Sequence, residues 1–460
     1  MFENSTDKDK RIAELEAQVK ELKILVQELV SINQSLQNRL SKYENPKNSR
    51  NSSIPPSKDE NRPFKSKSLR ERSGKKPGGQ TGHEGKTLEM VSVPDEIVRH
   101  IPDFCNHCGL DINQLPAEMI ERRQVVEIPP IKPLYIEHQV FARTCTCGQT
   151  TCSPFPQNIT PGISYGNSVE TLSAYFYARQ FLPFGRMQEM FNDVFSLPIS
   201  EGGIHQVLNR ATQKAEPAYE LIHERIKQST VVGSDETGTR IDNKKAWFWT
   251  WQNEKLTFIV PSINRGTQTI NQHFGNGFPK SILVHDCWKS HFEPAALSHQ
   301  ICTAHLLREL NYLDECYDSS WPKLFKELLL DAIHLKKKLA ASDYMSPIYE
   351  RTVLLRRLDE LLAKPINLED KDLASFHRRM IKHKDHIFTF LFNPEVPPDN
   401  NGSERAIRNI KVKHKISGYF KSFKGAMQFA ILRSVLDTTL KNGQNILNAF
   451  SQIISLPLMG

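Results

Sequence analysis

Three acidic residues, Asp235, Asp286 and Glu404, stand where they could do chemistry. Asp235 closes the apolar run Thr230-Val-Val-Gly-Ser-Asp235, and Asp286 closes a second, Ser281-Ile-Leu-Val-His-Asp286. Short apolar runs of this kind read as buried strands, so each acid sits at a strand end. If the two strands are neighbours, their carboxylates are apposed and repel, and a bound divalent cation is the usual relief. Hard oxygen ligands suit Mg²⁺ or Mn²⁺. Glu404 is the candidate third ligand, in Asp399-Asn-Asn-Gly-Ser-Glu-Arg-Ala-Ile-Arg408, where Asn401 or Ser403 is expected to cap the helix that follows. On that helix Glu404, Arg408, Lys411 and Lys415 share one face, an acid followed by a basic ladder suited to DNA phosphates. The plain alternative for Glu404 is a surface ion pair with Arg408, worth about 0.3–0.5 kcal/mol. Three acids in this context favour the catalytic reading.

The elements that must position these acids follow from hydropathy. Lys245-Ala-Trp-Phe-Trp-Thr-Trp251 and Leu256-Thr-Phe-Ile-Val260 are aromatic and β-branched strands, and Thr267–Phe274 is an expected helix. Three meandering strands, a helix and a fourth strand describe the front half of a ribonuclease-H-like fold. In such a sheet the first and fourth strands are adjacent, which would bring Asp235 and Asp286 together. Residues 294–390 are almost uniformly helical (Leu306–Leu313, Lys323–Leu339, Glu350–Leu362, Leu373–His386), too long for a loop and expected as an inserted helical subdomain. Cys302-Thr-Ala-His305-Leu-Leu-Arg308 opens it. His299, Cys302 and His305 offer zinc ligands on one helix face, although a packed cysteine and a phosphate-contacting histidine is the favoured reading, with Arg308 beside them.

Five of the eight cysteines form a group: Cys105, Cys108, Cys145, Cys147 and Cys152. Cys105-Asn-His-Cys108-Gly has the spacing of a zinc knuckle, and Cys145-Thr-Cys147-Gly is its expected partner pair. Strand-like sequence (Gln124–Ile128, Leu134–Ala142) lies between them, so the expectation is a four-cysteine zinc ribbon holding one structural Zn²⁺, with Cys152 or His107 as substitute ligands.

Upstream, Ile12, Leu15, Val19, Leu22, Val26, Leu29, Asn33, Leu36, Leu40 and Tyr43 fall on successive a and d positions of a heptad repeat. That predicts a helix that pairs with another, and Asn33 at an a position favours a defined register and a dimer. Pro46 ends it. The Ser/Asn/Pro run Lys47–Asp59 and the segment ending Lys75-Lys76-Pro-Gly-Gly-Gln-Thr-Gly-His-Glu-Gly85 are expected to be flexible linker. Met187–Phe195, a short turn and Glu201–Ala215 resemble a helix-turn-helix with Ser200 as N-cap.

With 460 residues the chain is too long for a single core, and 38% hydrophobic with 24% charged residues excludes collagen-like, mucin-like and wholly disordered chains. No apolar stretch reaches the ~18 residues of a membrane span, and Met1–Lys10 lacks a secretory signal. An intracellular protein whose cysteines are thiols or metal ligands is therefore expected. The net charge of +8 is concentrated. Arg62–Lys86 carries eight basic residues against Glu71 and Glu84, and Arg405–Leu436 carries eight against none. Concentrated positive charge of this kind attracts a phosphate backbone.

Taken in order, these motifs resemble an insertion-sequence 66 family transposase over nearly the whole chain. The residues that carry the resemblance are the heptad helix with Lys47-Asn-Ser-Arg-Asn-Ser-Ser-Ile-Pro-Pro-Ser, Lys76-Pro-Gly-Gly-Gln-Thr-Gly-His, the Cys105/Cys108 module, Ser234-Asp-Glu-Thr237, His285-Asp286, Cys302-Thr-Ala-His-Leu-Leu-Arg-Glu-Leu310 and Asn400-Asn-Gly-Ser-Glu-Arg-Ala-Ile-Arg408. Cys145-Thr-Cys147 departs from the pattern, since many relatives have two intervening residues. The resemblance implies a bacterial, cytoplasmic DD-E transposase with Asp235, Asp286 and Glu404 as catalytic acids holding two Mg²⁺ (or Mn²⁺) ions. It also implies cleavage at the terminal repeats of an insertion sequence and strand transfer into target DNA, in a homodimer or larger complex, with accessory proteins of the same element as possible partners. The alternatives are a non-catalytic zinc-containing DNA-binding regulator and a nuclease of the same fold that cuts without joining.

The expected architecture is a multidomain α+β/α/β chain. It comprises a coiled coil (1–45), a flexible basic linker (46–100), a zinc-ribbon-like module (101–157), a helical DNA-binding segment (158–228) and a ribonuclease-H-like core (229–293 and 391–460) interrupted by the insertion (294–390). Lys75, Lys76, His305, Arg308, Arg405, Arg408, Lys411 and Lys415 are the expected DNA contacts.

Overall fold

The structure, a computed structural model, describes residues 3–52, 54, 59–61, 82, 84, 88–156, 159 and 162–456. Lys75 and Lys76 lie outside the described residues. The chain divides into two compact units, one of Met1–Arg62, Tyr135–Asp193 and Leu197–Gly460, the other of Pro63–Leu134 with Val194–Ser196.

In the larger unit the heptad segment forms one unbroken helix, α1 (Glu3–Glu44), as expected from a stretch without Gly or Pro. Its a and d residues face solvent, Leu22 and Leu29 at 60% exposure each. Strands β1 (Ala142–Thr144) and β2 (Thr150–Cys152) make a short antiparallel hairpin. Helices α2 (Asn167–Ala178), α3 (Phe184–Phe195) and α4 (Glu201–Lys227) follow. Ser200 caps α4 as expected, its hydroxyl accepting the Gly203 N–H at 3.1 Å.

Next come β3 (Val231–Ile241), β4 (Lys244–Gln252), β5 (Thr257–Ser262), α5 (Thr267–His273), β6 (Phe278–His285) and β7 (Ala296–Ile301). They build one mixed sheet in the order β5-β4-β3-β6-β7, the first three antiparallel and the last two parallel to β3. The insertion contributes α6 (Thr303–Cys316), α7 (Trp321–Lys338), α8 (Tyr349–Ala363) and α9 (Lys371–Lys382). The chain returns through α10 (Asn401–Ser417), α11 (Phe423–Lys441) and α12 (Ile446–Ser455).

Strand alternation divides the sheet's cover. Trp249, Trp251 and Phe258 point to one face, where they meet Phe274 beyond α5 and Tyr219 of α4. Phe248 points to the other and packs on Phe420 and Phe429, bringing α11 against the sheet. The insertion has its own apolar core, including Leu310, Phe325, Leu328, Leu358 and Phe376, continuous with Ile282 and Val284 of β6 and Ile301 of β7.

Four expectations need correction. The helical insertion starts after Cys302, not at 294, because Ala296–Ile301 is a fifth strand. Its polar residues His299 and Gln300 hide the strand signal, yet both are buried. His299 consequently lies on a strand and not on the helix face of His305. Gln124–Ile128 and most of Leu134–Ala142 form no strand; only Ala142 enters one. Finally, Pro46–Ser52 is not free linker. Asn51 and Ser52 are buried, Asn51 Nδ2 donates to Glu315 Oε2 at 2.8 Å, and Asn45 Nδ2 donates to the Glu315 carbonyl at 3.1 Å. The end of α1 is fixed to the insertion as well, through Asn38 to Asp370 at 2.6 Å and Lys42 to Asp372 at 2.9 Å.

Candidate active site

β3 and β6 are parallel neighbours with Gly233 opposite Val284, and continuing that register by two residues puts Asp235 level with Asp286. Within β3, Asp235 pairs with Thr250 and therefore faces the α10 side, whereas Glu236 pairs with Trp249 and faces the other. Each site carboxylate is held by backbone. The Glu236 N–H donates to Asp235 Oδ1 at 2.8 Å, and the Trp288 N–H donates to Asp286 Oδ1 at 3.0 Å. Cys287, between Asp286 and Trp288, takes φ +71°, a left-handed conformation rare for a residue other than glycine. Burial, then the neighbouring charges of Asp286, Glu236 and Glu404, push the Asp235 carboxyl well above its ordinary range. Asp235 is thus close enough to feel the charge of each of the other three.

Glu404 arrives on the first turn of α10, and the residues that put it there were not expected. The N-cap is Asn400, not Asn401 or Ser403. Its buried side chain donates to the Ser234 carbonyl at 2.8 Å and accepts from Ser403 Oγ at 2.7 Å, tying α10 to the strand that carries Asp235. Gln252 Nε2 lies 3.4 Å from Ser403 Oγ, and Gln252 Oε1 accepts from Lys441 Nζ at 2.8 Å. Burial lowers the Lys441 ammonium to about 8, and carbonyls of Asn253 and Leu256 hold it. A Cβ on Gly233 would stand 2.5 Å from Gln252 Nε2, so only glycine lets the helix approach this closely.

Glu404 does not pair with Arg408. Arg308 Nη2 and His305 Nδ1, both from α6, lie 3.5 and 3.8 Å from Glu404 Oε1. Cys302, immediately before α6, is fully buried, and its sulfur accepts the Asn400 N–H at 3.1 Å. Burial pushes that thiol up to about 12. Among the described residues Cys302, His305 and Glu404 form a group able to hold a metal ion, their ligand atoms all within 4.8 Å of one another.

On the opposite face of β3, Glu236 is buried between Arg265 (2.9 Å) and His291 (3.4 Å). Burial pushes its carboxyl upward, but His291 and Arg265 outweigh this and leave it below the usual range. His291 also lies 4.0 Å from Asp286, linking the two acids. Behind Asp286, buried His285 accepts the Cys287 N–H at 3.2 Å on Nδ1 and meets His299 Nδ1 at 3.1 Å through Nε2. The Ser234-Asp-Glu-Thr237 motif was the available signal for Glu236, but its neighbours are distant in sequence.

The basic ladder is shorter than the sequence implies. Arg405, Arg408 and Lys415 are exposed beside Glu404 on α10, but Lys411 donates to the Gly238 carbonyl at 2.8 Å. Lys413 is buried over Tyr177 with its ammonium lowered to about 7, and buried Arg433 pairs with Asp437.

The cysteine pairs fall in different units, and each forms a tight turn. In the smaller unit the Cys105 N–H donates to Leu110 and the Gly109 N–H returns to Cys105 at 2.9 Å, with Gly109 at φ +73°. In the larger unit the Cys145 N–H donates to Gln149 and the Gly148 N–H returns to Cys145 at 2.9 Å, with Gly148 at φ +86°. The C-x-C turn therefore repeats the C-x-x-C turn with one residue fewer. Hydrogen bonds from Cys108 and His107 backbone lower the Cys105 thiol, and those from Cys147 lower the Cys145 thiol, which favours thiolates suited to a metal.

A mixed sheet with one acid inside a central strand and another just past the end of its parallel neighbour, a helical insertion and a basic helix carrying a third acid defines a class of α+β protein. A family model described as "Transposase IS66 family" matches residues 162–428, more than half of the chain and all of that sheet. The protein belongs to the IS66 family of transposases and acts on DNA. A second model, a family of unknown function (DUF6444), matches residues 3–89. No curated protein matches the chain. Among the described residues no helix is long and apolar enough to cross a membrane.

Proposed function

We propose that this transposase cuts the ends of its insertion sequence and joins them to target DNA by metal-dependent phosphodiester chemistry. Its core would be ribonuclease-H-like, with Asp235, Asp286 and Glu404 as the metal-holding acids. The observation that carries this reading is the parallel pairing of β3 with β6, whose register sets Asp235, inside β3, level with Asp286 just beyond the end of β6. Burial and the charges of Asp286, Glu236 and Glu404 raise the Asp235 carboxyl there. Burying like charges together is costly unless a cation compensates them, and an all-oxygen donor set fits Mg²⁺ or Mn²⁺. A pair of such ions bound there would supply Lewis-acid activation of water, and then of a freed 3′-hydroxyl, for in-line attack at phosphorus.

The chain's own residues do the positioning. Backbone N–H groups of Glu236 and Trp288 fix the two aspartates, and Asn400 fixes the helix of the glutamate. Arg405, Arg408 and Lys415 hold DNA phosphates beside the acids, and Arg308 and His305 approach from the insertion. No serine or tyrosine nucleophile is needed, which separates this reading from covalent recombination.

The test is a linear duplex carrying the ends of the element, incubated with protein and Mg²⁺. Strand cleavage at the end followed by joining to a target is expected. Binding without cleavage in Mg²⁺ or Mn²⁺ favours the regulator, and cleavage without joining favours the nuclease.

The solvent-facing heptad of α1 is proposed to pair two copies in parallel. Removing residues 1–35 spares the docked end at Asn38, Lys42 and Asn45 and is expected to lower the mass measured by light scattering by one pairing step. An unchanged mass counts against the zipper.

A further inference from the structure

Cys302, His305 and Glu404 converge from two elements, the start of α6 and the first turn of α10. The His305–Glu404 distance of 3.8 Å is too long for a hydrogen bond, and buried His305 Nδ1 has no hydrogen-bond partner. Ligands on one tetrahedral Zn²⁺, with bonds of about 2.0–2.3 Å, stand roughly 3.3–3.8 Å apart, so the gap is that of a cation's coordination edge. The donor set of sulfur, imidazole and carboxylate differs from the all-oxygen cluster of Asp235, Asp286 and Glu404, and soft sulfur discriminates against Mg²⁺. A thiolate and a carboxylate together neutralise a divalent ion. The Asn400 N–H donated to Cys302 sulfur is the outer hydrogen bond such a thiolate ligand requires, while Arg308 lies 3.5 Å from the Glu404 oxygen and helps to orient it.

We propose that Cys302, His305 and Glu404 form a second cation site, for a borderline-soft divalent ion such as Zn²⁺, and that filling it withdraws Glu404 from the neighbouring acids and inhibits strand cleavage. The inhibition rests on Glu404 being a catalytic acid as proposed above; the binding does not. One glutamate serving two donor sets makes the two occupancies mutually exclusive, so Zn²⁺ and Mg²⁺ compete through a shared ligand.

Co²⁺ replaces Zn²⁺ and reports thiolate bonds by sulfur-to-metal charge-transfer absorption. Metal-free full-length protein, Cys302→Ser and His305→Gln are titrated with Co²⁺, with folding followed by circular dichroism. Each variant is expected to bind one equivalent fewer than the parent, and Cys302→Ser to lose the absorption of one thiolate, whatever the other cysteines hold. Equal counts and spectra in folded parent and Cys302→Ser overturn the site. If Cys302→Ser does not fold, an undiminished count in His305→Gln overturns it.

In the second arm, Zn²⁺ is added to Mg²⁺-supported cleavage. Inhibition of the parent at least tenfold stronger than that of Cys302→Ser is expected, and equal inhibition overturns the shared-ligand mechanism. If the parent shows no cleavage in Mg²⁺ but the cobalt difference persists, the cation site stands and the catalytic reading falls.

Discussion

Asp235→Asn is expected to reduce Mg²⁺-dependent strand cleavage and joining by about 10³-fold or more, equivalent to ~4 kcal/mol of transition-state stabilisation, while binding to the element's ends persists. The two activities should separate because they use different side chains. Asp235 sits within β3, level with Asp286 and influenced by the charge of Glu404, whereas the exposed cations Arg405, Arg408 and Lys415 lie along α10. An amide keeps the shape and the Glu236 N–H contact but loses the charge a divalent ion needs. Cleavage assays and gel-shift binding on the same substrate check this, and cleavage retained in Mg²⁺ refutes the assignment.

The same substitution has an opposite effect on stability when no divalent ion is present. Burial and like charges raise the Asp235 carboxyl in the folded chain, so ionising it opposes folding. The sign is that of a raised acid: the penalty is absent below the ordinary value of 3.8 and grows as pH rises towards the folded-state value. In EDTA at neutral pH, Asp235→Asn should therefore melt higher than the parent, by about 2–4 °C per kcal/mol relieved, and the gain should vanish near pH 4. A site that needed no cation would show no such trade between activity and apo stability.

Strand alternation explains why Asp235 and not the adjacent Glu236 belongs with Asp286 and Glu404. The two are neighbours in Ser234-Asp-Glu-Thr237 and chemically alike, but the β3–β4 register sends them to opposite faces. Glu236 is paired with Arg265 at 2.9 Å, and His291 lies between it and Asp286, 3.4 Å from the one and 4.0 Å from the other.

The starts of the strands bearing Asp235 and Asp286 were legible as short apolar runs, but β3 does not end at Asp235: it continues to Ile241 through the polar residues Glu236-Thr-Gly-Thr-Arg240, which pair with β4. The helices of the insertion were legible from their period. β7 was not, because its buried polar residues His299 and Gln300 are satisfied by tertiary partners: Gln300 Nε2 donates to the Ile387 carbonyl at 3.0 Å, and the His299 carbonyl accepts from Thr389 at 2.6 Å. Nor was the docking of Asn51, since a Ser/Asn run reads as solvated chain until a carboxylate such as Glu315 is placed opposite it. The cap of α10 was expected at Asn401 or Ser403 and is Asn400, because Asn400 and Asn401 are locally equivalent and Ser403 lies within the first turn. Only contact with Ser234 and Cys302 distinguishes them.

That contact makes Gly233→Ala the second substitution with a large expected effect. A methyl group at residue 233 would meet Gln252 Nε2 at 2.5 Å, Ser403 Oγ at 2.7 Å and Asn400 Oδ1 at 2.8 Å, all members of the network that seats α10. These atoms cannot retreat cheaply: Asn400 is bonded to Ser234, and Gln252 is held by Lys441. The helix must shift outward and carry Glu404 with it. Overpacking of this sort costs about 1–3 kcal/mol, and a displacement near 1 Å at a reacting centre costs roughly 100-fold in rate. Gly233→Ala is therefore expected to lower cleavage about 100-fold with end binding retained, although residue 233 carries no reactive group. Gly166→Ala is the control, because a methyl there meets nothing within 4 Å. Wild-type cleavage and melting in Gly233→Ala would mean that α10 is not seated through this contact, and the placement of Glu404 would need another support.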